Sequence, residues 1–232
     1  MRNEYEKQLE NLNVELIRMG ALCEKVIAGT TKALFSGDAK YTSKSHAVEE
    51  EIDKSEHNIE HICMSLLLKQ QPVASDFRFV SAALKLISDL ERIGDQCADI
   101  ADMIRFTTSY DLKDFKDLEE MSGAAKDMLS NAVEAYVKKD KDLAITVIQA
   151  DDKVDALFDS VKKRLIKEIG KKAEDGEFYI DIIMIAKYYE RIGDHAENIV
   201  ELATEKINTK AKIESDAKNE LITCLLYTSP SP

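Results

Sequence analysis

The segment ERIGD occurs twice, at Glu91–Asp95 and Glu190–Asp194, 99 residues apart, and its surroundings match: ISDLERIGDQCADIAD against AKYYERIGDHAENIVE. A chain that repeats at such a period folds as copies of one supersecondary unit. Further upstream the match continues at an offset of 102, with VEEEIDKSE (Val48–Glu56) over ADDKVDALF (Ala150–Phe158) and FSGD (Phe35–Asp38) over VKKD (Val137–Asp140). The change of offset implies three residues lost from the second copy between its second and third helices. A repeat of about 100 residues suits one small helical bundle.

Each copy reads as three helices. In the first, Leu9, Leu12, Leu16, Met19, Cys23, Val26, Ile27 and Leu34 recur at three- and four-residue steps and stop near Ser36–Gly37, the spacing of one helical face. A second helix is expected from Tyr41 to Lys69, carrying Ile52, Ile59, Ile62 and Leu66, and Pro72 ends it by disfavouring helix in the preceding residue and lacking an amide hydrogen. Ser75 or Asp76 is the candidate cap of the third helix, which carries Val80, Ala83, Leu84, Ile87, Leu90, Ile100, Ala101 and Ile104. In the second copy Gly170 marks the corresponding turn and Asp175 the cap, and FTTSYDLKDF (Phe106–Phe115) breaks the period as a linker. The expectation is an all-α fold of two tandem three-helix bundles, spanning 1–107 and 112–214. Leu221–Pro232 shifts in composition, resembles translated adapter sequence in its closing CLLYTSPSP, and has no place in the repeat. It is expected to be a non-native or disordered tail.

Composition narrows the function. The net charge is −12, which argues against nucleic acid or anionic lipid as the main partner, since both require a basic surface. Eight glycines and three prolines are too few for the frequent turns of an all-β chain. The amino-terminal segment has no apolar run suited to a secretory signal, and stretches such as Ile180–Ala186 fall far short of the ~20 residues that span a bilayer. Cys23, Cys63, Cys97 and Cys224 are scattered without a CxxC pair, so neither a disulfide framework nor a cysteine zinc site is expected. A reduced, cytoplasmic protein is the reading.

The carboxylates carry the chemistry. Acidic pairs at i, i+4 occur at Glu49/Asp53 and Glu91/Asp95, and Pro72 lies 19 residues from both Asp53 and Glu91. Antiparallel helices climb equally, at about 1.5 Å per residue, so the two pairs should stand at one height. Asp151/Asp155 and Glu190/Asp194 repeat the arrangement about a point between Lys172 and Ala173. Like charges at i, i+4 cost roughly 0.2–0.5 kcal/mol, and Gly94 and Gly193 in the same turn cost about 1 kcal/mol each against Ala. A hard cation ringed by oxygen ligands would offset both, which suits Mg, Ca, Mn or iron. Asp99 and Glu201 could add ligands further along, and Asn198 replaces the acid at the Asp99 position. The competing reading is a solvated acidic stripe partly neutralised by Arg92 and Arg191, with the glycines serving close helix packing. His46, His57 and His61 lie on a polar helix as surface residues, and His195 is the weaker candidate ligand.

The tandem ERIGD motifs, the QQPVASDFR segment (Gln70–Arg78) and the three-plus-three helix layout resemble the PhoU family of phosphate-signalling regulators, over nearly the whole chain. The resemblance implies two three-helix bundles, a homodimer, and multinuclear iron or zinc held by paired E(D)xxxD motifs. On this chain those motifs are Glu49/Asp53 with Glu91/Asp95, and Asp151/Asp155 with Glu190/Asp194. It further implies a cytoplasmic adaptor, not an enzyme, between the ATPase of a phosphate ABC transporter and a sensor histidine kinase, repressing the phosphate-starvation response. Without a Gly-rich loop or an Arg/Lys cluster, an acidic chain is poorly built to grip free phosphate. Phosphate contact is therefore expected through bound metal, or by docking that senses transporter state. The rivals are a di-iron carboxylate enzyme and a structural scaffold. The former needs Glu-x-x-His pairs, and Ser43, Lys54, Asn58 and Ile192 stand three residues before the four histidines.

Overall fold

A computed structural model describes the backbone of residues 2–69 and 74–227 and the side chains of residues 4–68, 76–172 and 174–202. Six helices run in order: α1 (Arg2–Ser36), α2 (Tyr41–Lys69), α3 (Ala74–Thr107), α4 (Lys116–Lys138), α5 (Lys141–Ile169) and α6 (Gly176–Tyr227), with a 3-10 turn at Ala173–Asp175 before α6. No strand occurs among the described residues. Pro72 and the end of the tail, Thr228–Pro232, lie outside them.

The turns follow the repeat. Gly37 ends α1 at φ +66°, and Lys139 ends α4 in the same left-handed conformation at φ 59°. Asp140 then caps α5, its carboxylate accepting from the amides of Asp142 and Leu143, the arrangement that satisfies otherwise unpaired first-turn donors. Ser75 and Asp76, the expected caps of α3, lie inside the helix and not ahead of it. The helix is already under way at Ala74, and Asp76 occupies its first turn, where a carboxylate complements the helix dipole. Asp175 stands immediately before α6, and its carboxylate accepts from the Tyr110 hydroxyl at 3.2 Å.

Each half forms a three-helix bundle, α1–α2–α3 and α4–α5–α6. The halves are also fused: α3 packs on α6 and α1 on α4, while α2 and α5 lie outside. One continuous core results. Leu12, Leu16, Met19, Ile52, Ile59, Leu86 and Leu90 of the first half join Leu118, Met128, Tyr136, Ile185, Tyr189 and Ile192 of the second. Polar atoms cross the seam with partners: the Tyr136 hydroxyl donates to the Phe79 carbonyl at 2.8 Å, and Tyr189 and Thr31 hydroxyls meet at 2.9 Å. The linker is structural as well. Tyr110 stacks on Phe178 at 3.8 Å between ring centroids, and Phe115 meets the same ring edge-on. Cys23, Cys63 and Cys97 are free and buried, and burial pushes their thiols up, so they act as small apolar fillers. No described helix is long and apolar enough to cross a membrane.

Candidate metal centre

The register of α2 against α3 is fixed by side chains that bond across it. Thr42 Oγ1 donates to the Ala101 carbonyl at 2.8 Å, Ser45 Oγ to the Cys97 carbonyl at 3.4 Å, and Ser88 Oγ to Glu56 at 3.4 Å. Between them a Cβ placed on Gly94 would lie 3.1 Å from Ile52 Cδ1. Stepping up α2 therefore steps equally down α3, and Glu49 falls level with Asp95 and Asp53 with Glu91. The groups feel one another. Burial first, then Asp53 and Asp95, raise the Glu49 pKa, and burial, Asp95, Glu56 and Asp53 raise that of Glu91. Arg92 straddles the α3 pair, its Nη1 3.1 Å from Asp95 and its Nε 3.5 Å from Glu91.

In the second bundle Asp151 falls level with Asp194, and Asp155 with Glu190. A Cβ on Gly193 would stand 3.5 Å from both Asp151 Oδ1 and Val154 Cγ1. The two equivalent glycines differ in tightness: a Cβ on Gly94 would press on Ile52, while one on Gly193 would only touch Asp151 and Val154, the counterpart of Ile52. Asp151 Oδ1 is buried without a hydrogen-bond partner. Desolvation, then Glu197, Asp155 and Asp194, push the Asp151 carboxyl up to about 6. Glu197 is raised in turn by burial, Glu201, Asp194, Asp155 and Asp152. Glu190 is instead drawn toward Lys187, three residues before it. The second acidic cluster is therefore displaced toward Asp194 and Glu197.

The repeat does not mark Glu197, because its counterpart in the first copy is Ala98. Its spacing of three from Asp194 was the available signal. Asp99, by contrast, goes elsewhere. Its carboxylate accepts from the Tyr188 hydroxyl and feels Arg191 across the α3–α6 seam. The mirror-related contact is Asn198 Nδ2 donating to Asp89 at 3.2 Å, joined by His195 Nδ1 at 2.9 Å. Asp99, Asn198 and His195 thus serve the joint between the bundles rather than the acidic rungs. His46, His57 and His61 are exposed; His46 lies 3.1 Å from Asp102, and His57 hydrogen-bonds the Asp53 carbonyl at 2.8 Å.

Among the described residues, no three His, Cys, Asp or Glu side chains converge closely enough to hold a metal ion. The rungs face each other at one level, but they do not form a closed ligand shell. Their chemistry nevertheless fits a hard cation. All donors are carboxylate oxygens, burial and then neighbouring carboxylates raise the proton affinity of Glu49, Glu91, Asp151 and Glu197, and Asp151 presents a buried oxygen with no partner.

The molecule is thus a tandem-repeat helical protein in which each three-helix bundle sets two acidic turns side by side. The PhoU domain model matches residues 16–104 and 118–203, and the chain belongs to that family. The phosphate-specific transport system accessory protein PhoU homolog of Clostridium acetobutylicum is 32% identical over 202 residues, covering 86% of this chain and 92% of the relative. That of Borreliella burgdorferi is 32% identical over 210 residues, covering 87% and 94%. The crystal structure of PhoU from Pseudomonas aeruginosa superposes with a TM-score of 0.84 at 28% identity, covering 88% of this chain and 99% of that one. The phosphate transport system regulatory protein PhoU from Streptococcus pneumoniae gives 0.78 at 26% identity, covering 87% and 96%.

Proposed function

We propose that this protein is a cytoplasmic accessory regulator of phosphate uptake, not an enzyme. It acts as a homodimer between the ATPase of a phosphate ABC transporter and a sensor histidine kinase, and represses the phosphate-starvation response while phosphate is plentiful. Family membership supports the phosphate-transport part of the reading. The observation that supports the chemistry is the facing of two acidic pairs at one level in each bundle, with Glu49, Glu91 and Asp151 raised by burial and then by their acidic neighbours.

Glu49, Asp53, Glu91 and Asp95 would hold a cation in the first bundle, and Asp151, Asp155, Asp194 and Glu197, with Glu190, in the second. When bound, such an ion neutralises the clusters and offers a Lewis-acidic contact to phosphate oxygens. The residues themselves supply oxygen donors, held in the first bundle at the register that the Thr42, Ser45 and Ser88 hydrogen bonds fix. Iron or zinc is the family expectation, and Mg or Mn satisfies the same donors.

The test is elemental analysis of the purified protein beside an Asp95→Asn/Asp194→Asn variant, with co-purification against transporter ATPase and kinase. Metal present in the parent and lost from the folded variant supports the centre, and capture of either partner supports the adaptor role. Equal metal content in both would place any ion elsewhere. The lack of a closed ligand shell among the described residues favours one alternative, a purely structural scaffold. That alternative predicts no metal in either protein and no loss of signalling when the carboxylates are neutralised.

A further inference from the structure

The internal repeat also relates α1 to α4, at the offset of 102 that superposes Phe35–Asp38 on Val137–Asp140. The two helices pack antiparallel across the axis of that repeat. At one end Gly20 closes on Val133, a Cβ on the glycine lying 3.1 Å from the valine side chain. At the other end the counterparts, Ser122 and Thr31, line a groove of about 540 Å³. Gly123 keeps the groove open, since nothing lies within 4 Å of a Cβ placed on it. Phe35, Lys32 and Lys126 border it, and a second depression runs on past Phe35 to Lys113 and Lys116.

Charge inverts across this axis although the backbone does not. Lys126 corresponds to Glu24, and Lys32 to Glu134. The outward face of α1 and α4 therefore carries lysines at its grooved end and glutamates at the other, where Lys138 pairs with Glu134. Along α1 the same face presents Val14, Ile17, Ala21, Glu24 and Ala28 at alternating three- and four-residue steps, and Phe35 a further seven on, the spacing of a coiled-coil seam. Val14 and Ile17 are 44% and 50% exposed, so an apolar ridge lies at the acidic end and an apolar groove at the basic end.

We propose that this face pairs two copies of the chain, turned end for end about a two-fold axis lying in the interface across the helices. The repeat axis places Glu24 as far to one side as Lys126 lies to the other, and Glu134 as far as Lys32. Reversing the second copy therefore sets Lys126 level with its Glu24 and Lys32 level with its Glu134. Glu119, the acidic residue of the grooved end, comes within a turn of the second copy's Lys138. Ile17 falls over the second copy's groove at Phe35. In such an isologous contact each of these pairings occurs twice. From Val14 to Phe35 the face is about 32 Å long and two helices, about 20 Å, wide. That is roughly 640 Å² per copy and about 1,300 Å² in total, within the range of specific interfaces. The inference rests on the pairing proposed above and names the surface that makes it.

Charge reversal tests it on the full chain. Sedimentation equilibrium of the parent should give twice 26.1 kDa. Lys32→Glu/Lys126→Glu sets carboxylates against the second copy's Glu134 and Glu24, and Glu24→Lys/Glu134→Lys sets lysines against its Lys126 and Lys32. Each variant, with helical circular dichroism retained, should weaken self-association about tenfold or more. Mixing the two should restore a one-to-one complex of twice the monomer mass. A parent that stays monomeric would overturn both the pairing and this surface. A parent dimer whose variants still dimerise would overturn the surface alone, leaving pairing by another face. Monomeric variants that fail to recombine would also overturn it.

Discussion

Neutralising Asp151 should have opposite effects on stability with and without metal. In the metal-free protein, burial and the neighbouring carboxylates hold the Asp151 carboxyl at about 6, against an ordinary value of 3.8. An acid whose pKa is raised by folding binds its proton more tightly in the native state. Its favourable contribution is complete below the unfolded value near 3.8 and is lost as pH climbs through about 6. At pH 7 the ionised group is therefore a net cost. About two units correspond to roughly 3 kcal/mol at 1.36 kcal/mol per unit. Asp151 is only half-buried, and solvent screening reduces the figure to about 1 kcal/mol. Asp151→Asn keeps the shape and removes the charge. In chelator at pH 7 it should raise Tm by about 2–4 °C, with the advantage shrinking toward pH 4.5. With saturating divalent metal the order should invert, because the parent alone gains the full linkage stabilisation of binding. Differential scanning fluorimetry across pH, with chelator and with added iron, zinc or manganese, reads all of this. An asparagine variant that is less stable than the parent in chelator at pH 7, by an amount independent of pH, would refute the electrostatic account.

Other expectations concern the frame that holds the rungs. Gly29→Ala should destabilise by about 1–3 kcal/mol, because the added methyl would stand 1.7 Å from the Tyr41 hydroxyl oxygen. In a Tyr41→Ala background the same change should stabilise by up to about 1 kcal/mol through helix propensity, and urea titration of the four proteins gives the sign. Gly37→Ala should cost about 1 kcal/mol with no steric component, since φ is +66° and nothing lies within 4 Å of the new Cβ; Gly37→Asn should cost clearly less by the same titration. Tyr136→Phe removes the donor to the Phe79 carbonyl and should cost about 1–2 kcal/mol. Thermal unfolding should remain one calorimetric transition, because that bond lies inside a core shared by both bundles, and separate transitions for the halves would contradict the fused core.

What could be read from the residues alone follows from which forces act along the chain and which act across it. The helices and the level of the rungs were legible because rise per residue is the same in every α-helix. Symmetry about Pro72, or about the point between Lys172 and Ala173, was therefore enough to pair Glu49 with Asp95 and Asp151 with Asp194. The destinations of Asp99, Asn198 and His195 were not legible. Each continues an acidic turn along its own helix, Asp99 on α3 and His195 and Asn198 on α6, and only the docking of α3 on α6 turns them toward Tyr188, Arg191 and Asp89. Gly94 and Gly193 were equally ambiguous, since packing and site shaping call for the same missing side chain. The facing helix presents Ile52 in one copy, and both its counterpart Val154 and Asp151 in the other. The linker looked like a gap because its pattern is aperiodic, yet aromatic stacking of Tyr110 on Phe178 needs no period.

The two halves share the three-helix layout and the paired acidic turns, and differ in how those charges are partnered. In the first acidic cluster Arg92 straddles Glu91 and Asp95. In the second, Lys187 takes Glu190, and Glu197 joins Asp151 and Asp194. On the opposite face Lys32 and Lys126 answer Glu134 and Glu24. A core tolerates symmetric duplication because apolar contacts are non-directional and ask only for volume and pattern. Surface charge carries no such constraint, so it is free to make equivalent positions unlike. An adaptor that joins two different proteins needs that freedom: identical ends would compete for the same partner, whereas unlike ends on one rigid core present different potentials at a fixed separation. Under the proposed function, the rigidity of the shared α1–α3–α4–α6 core is what would make a charge change at one acidic cluster felt as a shift in docking rather than lost in a flexible joint.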